Sequence, residues 1–278
     1  MSTFQEGASA PGGFELDLGF TDNPILAPNM KLERGEAPAK ARIGWMRSVT
    51  NIFHAFAVQS FINEAAHKAG KDSKDYLLET IGPARTIDFA NQNANYNNYG
   101  GDKAVYPLET SRLRHVIEKA ASMANWGRTL PKGRGLGIAA HRSFLTYVAT
   151  VVEVEVSDAG DLNVIKSWVA IDAGTVVNTD TVKNQTQGGS IYGITTAISD
   201  GITFDKGRVQ QSNFHDYRVP RMSDSPLEVE VEIIQSDAPP AGVGEPATPV
   251  YAPALCNAIF AACGKRIRQL PIGNQLKA

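Results

Sequence analysis

Apolar positions along this chain change period twice, and the changes mark out its elements. From Asn51 the run NIFHAFAVQSFINEAAHKAG places Phe53, Phe56, Ala57, Phe61, Ala65 and Ala66 on one helical stripe, with Gly70 as a natural C′ residue. SKDYLLETIG predicts a second, short helix from Ser73 as N-cap to Gly82. ETSRLRHVIEKAASMANW returns to helical spacing through Leu113, Ile117 and Ala121 and stops near Gly127. Residues 86–107 between them are polar and asparagine-rich. They predict a surface loop, with a pocket rim as the alternative for QNANYNNYGG.

From Arg134 to about Asp172 the period becomes two. LTYVATVVEVEV alternates and is β-branched, DAGDLN supplies a turn, and VIKSWVAIDAG reads as the returning strand. TDTVKNQTQGGSIYGITTAIS then reads as a helix, ITFDKGRVQQSNF as a hairpin turning at DKGR, and LEVEVEIIQ as a strand. The last element is a helix from about Ala252 to Cys263, with Pro253 near N1 and Gly264 as its stop. Helices come first, and antiparallel pairs interleaved with helices follow, so the fold class is α+β. The expected organisation is an extended N-terminal arm over 1–45, a helical part over 46–130 and an α+β part over 131–278. The arm, rich in Gly, Pro and Ala, is expected to lie over another surface, a second chain being one option.

Composition narrows the function classes. A chain of 278 residues can bury a real core, and a formal net charge of −2 gives no footing for nucleic acid. No apolar run approaches the roughly 18 residues of a membrane span. The first residues lack the basic and apolar regions of a secretion signal. Two cysteines, Cys256 and Cys263, lie on one predicted helix, about 10 Å apart along its axis and too far for a disulfide. They read as small buried apolar residues, and their number excludes a zinc ribbon or a cysteine-held iron–sulfur cluster. The histidines at 54, 67, 115, 141 and 215 are scattered and read as core or surface residues. GRGLGIAA (133–140) is glycine-rich but is not G-x-G-x-x-G, and it precedes a strand where a dinucleotide fingerprint follows one.

Two segments carry candidate chemistry. In the first, a strand ends at Asp172-Ala-Gly174, and past Asn178 a helix carries Gln185, Gln187, Gly188 and Gly189. Amides donate and accept, which suits a ligand with mixed edges such as a pterin, and glycines let backbone approach it. The same segment reads equally as a helix with a close Gly-Gly packing contact. In the second, GVGEP (242–246) holds Glu245 between glycines and a proline. Rigid flanks favour a preorganised general base, and a plain Pro/Gly loop is the alternative.

At these residues the sequence resembles molybdenum hydroxylase large subunits, the xanthine oxidase family, in the branch of isoquinoline 1-oxidoreductase β-subunits and related aldehyde dehydrogenases. GVGEPATPVYAPALCNAIFAACGKRIRQLPI is similar to the family's C-terminal signature. RSVTNIFHAFAVQSFINEAAHKAGKD, GRGLGIAAHRSFLTYVATVVEVEV and QQSNFHDYRVPRMSDSP agree with the branch, so the likeness runs in order over about residues 25–273.

The resemblance implies the molybdopterin-binding fold of aldehyde oxidase and xanthine oxidase, and oxidation of an aldehyde or N-heteroaromatic ring with water-derived oxygen. The cofactor would be molybdenum on molybdopterin, usually the cytosine dinucleotide form, with no direct protein ligand to the metal. By the same likeness Glu245 is the base that takes a proton from the metal-bound hydroxyl, which a nearby cation acidifies. Gln185 matches a pterin-contacting glutamine, with Gln187, Gly188, Gly189 and Gly244 beside the cofactor. Met46 and Arg47 match a position whose backbone approaches the metal's ligands. Departures from the pattern are Gln187 for Glu, Thr50 for Gly, Thr179 for Pro and Val250 for Pro.

Large subunits of this branch carry further metal-site loops ahead of the part matched here. The expected partner is therefore a second large-subunit half bearing those loops, with a truncated fragment reading identically. Iron–sulfur clusters are expected in a separate small subunit, and a cytochrome c is a candidate electron acceptor. Localisation is expected to be cytoplasmic, or periplasmic by export with a signal-bearing partner. The reading from another class is a non-catalytic scaffold that completes a partner's cofactor site.

Overall fold

A computed structural model describes residues 16–35, 44–89 and 96–277. In chain order, helices α1 (Asn51–Lys68), α2 (Ser73–Ile81) and α3 (Thr110–Met123) precede strands β1 (Arg134–Ser143), β2 (Thr146–Val156) and β3 (Leu162–Asp172). Helix α4 (Thr179–Ile198), the short hairpin β4 (Phe204–Asp205) and β5 (Arg208–Val209), strand β6 (Val229–Ile233) and helix α5 (Tyr251–Cys263) complete it. The main sheet has the order β1-β2-β3-β6, antiparallel except for the parallel β3–β6 pair.

The central strand β2 is buried along nearly its whole length, although its sequence alternates. Tyr147, Ala149 and Val151 face the layer of α2 and α3, while Val148 and Val152 face α5. Both faces of the sheet are covered, so both sets of alternate positions are apolar. The polar interruption Glu153 is buried, at the bulge between Glu153 and Val154, and is paired with Arg128 at 2.5 Å and Arg134 at 3.6 Å.

GRGLGIAA does not precede a strand; it forms β1 itself. Its glycines are packing residues. A Cβ on Gly135 would lie 2.5 Å from the α5 backbone at Ala258 O, and one on Gly137 would lie 2.1 Å from Ala258 N. Helix α5 can lie this close on β1 because those two positions carry no side chain.

The stripe expected on α1 is only partly buried. Ala66 is buried and Phe56 packs against the core, but Phe53 and Phe61 are 65% and 71% exposed, and the buried face also carries Asn51, Ile52, His54, Ala55, Gln59 and Ile62. The buried face is mixed because the end of β1 offers polar partners: Gln59 Oε1 accepts from Ala140 N (3.1 Å), and Asn51 meets His141. Periodicity alone cannot choose between such a face and an apolar one. Helix α3 does bury Leu113, Ile117 and Ala121 as its spacing predicts.

Helix ends show smaller differences. The N-cap of α2 is Asp72, accepting from Lys74 N and Asp75 N, not Ser73. Helix α5 begins at Tyr251, which puts Pro253 two positions past N1, and Gly264 closes it at φ 75. Cys256 is buried, and burial pushes its thiol up to about 12. Cys263 is exposed, contrary to expectation, because the last turn of α5 runs past the edge of the core.

Much of the expected arm, residues 1–15 and 36–43, lies outside the described residues, as do residues 90–95 of the asparagine-rich stretch. Residues around Pro24 and Leu26 pack on this chain's own α2 region, through Leu26 N to Thr80 O (2.8 Å) and Arg85 Nη2 to Pro24 O (2.8 Å). Among the described residues no helix is long and apolar enough to cross a membrane.

Candidate active site

The loop that carries Glu245 is fixed from two sides before the acid is reached. On one side the turn after β3 holds it: Thr175 N donates to Ala238 O (2.8 Å) and Ala241 N to Ala173 O (2.9 Å). Gly174, at φ 70, lies so close to the loop that a Cβ would come within 2.2 Å of Pro239 O. Asp172 begins this turn as a structural residue, in a two-pronged ion pair with Arg112 of α3 at 2.6 and 2.8 Å. On the other side is the β1–β2 turn, where Phe144 and Leu145 both have positive φ. There Gly242 N donates to Phe144 O (3.1 Å) and Thr146 Oγ1 to Gly242 O (2.7 Å). Prolines stiffen a segment already tied at its backbone.

Glu245 meets the segment just ahead of α1. Ser48 N donates to Glu245 Oε2 (2.6 Å) and Ser48 Oγ to the Glu245 carbonyl (2.7 Å). A backbone N–H on a carboxylate is a charge-assisted bond, stronger than a neutral one. It leaves Oε1 without a hydrogen bond among the described residues. Ser48 is fully buried and, with Val49, sits at positive φ (74° and 53°), a strained conformation for residues with a Cβ.

Arg47 binds the second candidate segment to the same place. Its Nε donates to Gly244 O (2.7 Å) and its Nη2 to both Gln185 Oε1 (3.0 Å) and Gln185 O (3.3 Å). An arginine has only donors, so the Gln185 oxygen faces it and the amide Nε2 points to solvent. Gly188 lies against Arg47 on α4, while Gly189 is buried against Ala247 and Thr248, whose Oγ1 donates to Gly189 O (3.1 Å). A Cβ on Gly244 would meet nothing within 4 Å. Met46 is 58% exposed beside Arg47.

Thus Arg47, Gln185, Gly188, Gly244 and Glu245 share one open face, and Gly189 supports it from below. Gln187 points elsewhere, donating to Val229 O of β6 (3.1 Å), as its place two residues after Gln185 on a helix requires. Asn178 caps α4 by accepting from Thr181 N (2.8 Å).

This face offers a guanidinium, a free amide donor, one free carboxylate oxygen and backbone without side chains, a donor set that fits a polar heterocycle carried by a separate cofactor. Among the described residues no group of three His, Cys, Asp or Glu side chains could hold a metal directly. A family model for the molybdopterin cofactor-binding domain matches residues 59–226, more than half of the chain. The chain belongs to that family.

Individual relatives add detail. The chain is 32% identical over 237 residues to the membrane-bound aldehyde dehydrogenase [pyrroloquinoline-quinone] of Gluconacetobacter polyoxogenes, covering 83% of this chain and 29% of that one. It is 29% identical over 266 residues to isoquinoline 1-oxidoreductase subunit beta of Brevundimonas diminuta, covering 93% of this chain and 30% of that one. This chain therefore spans about 30% of the length of these two relatives. The aldehyde oxidoreductase of Desulfovibrio gigas superposes on 84% of this chain and 41% of its own, with TM-score 0.63 and 12% identity, and so shares the fold. This agreement supports the α+β molybdopterin-binding architecture expected from the sequence.

Two buried residues that support this face, Ser48 and Asn51, are not singled out by the sequence. Ser48 lies inside the quoted Arg-Ser-Val motif, and its role depends on a left-handed backbone that no periodicity reports. Asn51, fully buried in the first turn of α1, stands among apolar residues and is set apart only by being polar there.

Proposed function

We propose that this chain is the catalytic part of a molybdopterin-dependent hydroxylase or dehydrogenase, with Glu245 as its general base. The observation that carries this reading is the state of the Glu245 carboxylate: Oε2 is held by Ser48 N at 2.6 Å, and Oε1 has no hydrogen bond among the described residues. A general base needs a fixed position and a free lone pair. A solvated surface glutamate needs neither.

A bound molybdopterin would supply the two-electron chemistry, and the acidic group facing the base, that no side chain here provides. The chain's own residues do the rest. Arg47 and Gln185 bind and orient the pterin edge, the guanidinium through its outer nitrogen and the amide through Nε2. The bare backbone at Gly188 and Gly244 lets the ligand come close. Ser48 keeps Glu245 aimed, and Glu245 Oε1 receives the proton.

The substrate class proposed is an aldehyde or an N-heteroaromatic ring, as the names of these two relatives suggest. On the resemblance, further metal-site loops outside the matched part are proposed to complete the site, with iron–sulfur clusters in a small subunit. The cytosine dinucleotide form of the pterin is proposed on the resemblance alone, and so is a cytochrome c acceptor.

The test is Glu245→Gln in the assembled enzyme, with molybdenum and pterin measured alongside turnover. Turnover should fall by about a thousandfold, with cofactor content unchanged. Loss of the metal in the variant would refute the assignment of the base. Unchanged turnover would favour the scaffold role, in which this chain only completes a partner's cofactor site. Quinone in place of pterin in the purified protein would overturn the cofactor.

A further inference from the structure

Beneath Ser48 lies a buried polar junction that the proposed chemistry does not use. Asn51 Nδ2 donates to the Ser48 carbonyl (3.0 Å). Asn51 Oδ1 accepts from Tyr99 OH (3.0 Å) and lies 2.8 Å from His141 Nε2. A carbonyl can only accept, so the amide nitrogen must face Ser48. Oδ1 must then accept from both other groups. That fixes the His141 tautomer with its proton on Nε2. The ring stays neutral, since burial first, then His54 and Arg142, push it down to about 3. Every capacity of the Asn51 side chain save one N–H is directed, and that side chain is fully buried.

We infer that Asn51 is the positioning residue for Glu245: it clamps the Ser48 carbonyl, holds Ser48 in its left-handed conformation, and so aims the Ser48 N–H at the carboxylate. A serine at φ 74 is strained and persists only where its surroundings over-determine it. Here the hydrogen bonds at both of its peptide groups supply that. The asparagine-rich stretch gains a role in the same step. Its Asn98 and Tyr99, at φ 54 and 55, turn the chain inward so that the Tyr99 hydroxyl reaches Asn51. Asn98 Oδ1 meanwhile accepts from Arg142 Nη2 (2.9 Å), locking the loop to the end of β1. Asn51 touches no reacting group and acts only through Ser48.

The inference rests on the reading of Glu245 as the base, so the experiment reads Ser48 directly. Hydrogen exchange is followed by mass spectrometry on the peptide spanning residues 45–52 in wild type and Asn51→Asp. A carboxylate at 51 keeps the acceptor for Tyr99 and His141 but loses the side-chain donor to Ser48, whose carbonyl then keeps only the bond from the backbone N–H of residue 51 (3.1 Å in the wild type). Exchange in that peptide should quicken about tenfold, with peptides from α3 and β2 unchanged. In a Ser48→Gly background the quickening caused by Asn51→Asp should shrink to about twofold, because glycine adopts positive φ without a clamp.

Wild-type exchange in Asn51→Asp, or equal quickening in all peptides, would overturn the inference. If that variant does not fold, Tyr99→Phe removes a single hydrogen bond to Asn51. It should give about threefold quickening confined to the same peptide, and no change there would also overturn it. If Glu245→Gln retained turnover, the Ser48 result would still stand and only the role of the acid would fall.

Discussion

GRGLG at 133–137 and GVGEP at 242–246 both place glycines two residues apart, and their surroundings are opposite. In the first, the space a side chain would take is filled by backbone: Gly137 has Ala258 N and Ala254 O where its Cβ would sit, at 2.1 and 2.2 Å. In the second, a Cβ on Gly242 would lie 3.0 Å from the Phe144 side chain, and one on Gly244 would meet nothing within 4 Å. One pair of glycines exists so that a helix can pack on a strand. In the other, Gly242 packs on the β1–β2 turn and Gly244 alone leaves backbone bare where a ligand can approach. Glycine in a sequence reports that something comes close, and only the fold says whether the visitor is protein.

The two regions also rest on different support. Beneath α5 the contacts are apolar, with Val148, Val152, Leu255 and Ile259 in one cluster. Beneath Ser48 and Glu245 they are polar, through Asn51, His141 and Tyr99. Acid should therefore separate them, and this is the largest effect expected. The folded His141 titrates at about 3, well below the ordinary 6.5, mainly because its charged form is desolvated. An unfolded chain binds that proton more readily, so stability is full above about pH 6.5 and falls as the pH drops toward 3. The slope is about 1.4 kcal/mol per pH unit. Urea unfolding between pH 7 and 4 measures it, and His141→Gln, which keeps a donor toward Asn51, should flatten the curve. An unchanged slope would mean that His141 is not the group that makes this support sensitive to acid.

Next in size is Gly137→Ala. Its methyl group would overlap the α5 backbone, which cannot rotate away as a side chain can, and overpacking of this kind costs about 3 kcal/mol. The denaturant midpoint should drop accordingly, with any cofactor that remains bound unaltered per folded molecule. A stable Gly137→Ala protein would show that α5 lies farther from β1 than the contact at 2.1 Å implies.

The outcome at these glycines also shows what was legible in the sequence. Strand periods, α3 and the stop at Gly264 could be read because each depends on neighbours along the chain. The burial of both faces of β2 could not, because it depends on helices remote in sequence covering each side. Helix α1 misled for a related reason. Its phenylalanines repeat at helical spacing, yet the buried face carries Asn51, His54 and Gln59, each satisfied by hydrogen bonding to β1 or the segments before α1. At the candidate site, Arg47, Gln185, Gly244 and Glu245 were marked by motif and do meet in space. Ser48 and Asn51 were not marked, since left-handed backbone and a buried amide leave no pattern. Gln187 was marked, and the helix turns it toward β6.

A smaller effect separates the anchoring of the loop from its open face. Thr146→Val removes the hydroxyl that donates to Gly242 O at 2.7 Å while keeping the side chain's shape. The cost should be about 1 kcal/mol, seen as a modest shift in thermal midpoint. Turnover should fall more than stability does, because the loop carrying Glu245 loses one of its ties to the β1–β2 turn. Equal falls in both would mean that this tie serves the fold alone.

The smallest effect on stability is the sharpest test of the contrast. Gly244 does not sit at positive φ, and its missing Cβ would meet open space, so alanine fits it without strain. Gly244→Ala should change unfolding free energy by less than about 0.5 kcal/mol, against about 3 kcal/mol at Gly137. If bare backbone at 244 serves a ligand, the same variant should lose pterin on dilution or dialysis while its unfolding curve stays in place. Pterin content and urea midpoint measured on one preparation decide it. Retained pterin would make Gly244 a turn residue like any other, leaving Arg47, Gln185 and Gly188 to carry the binding face alone.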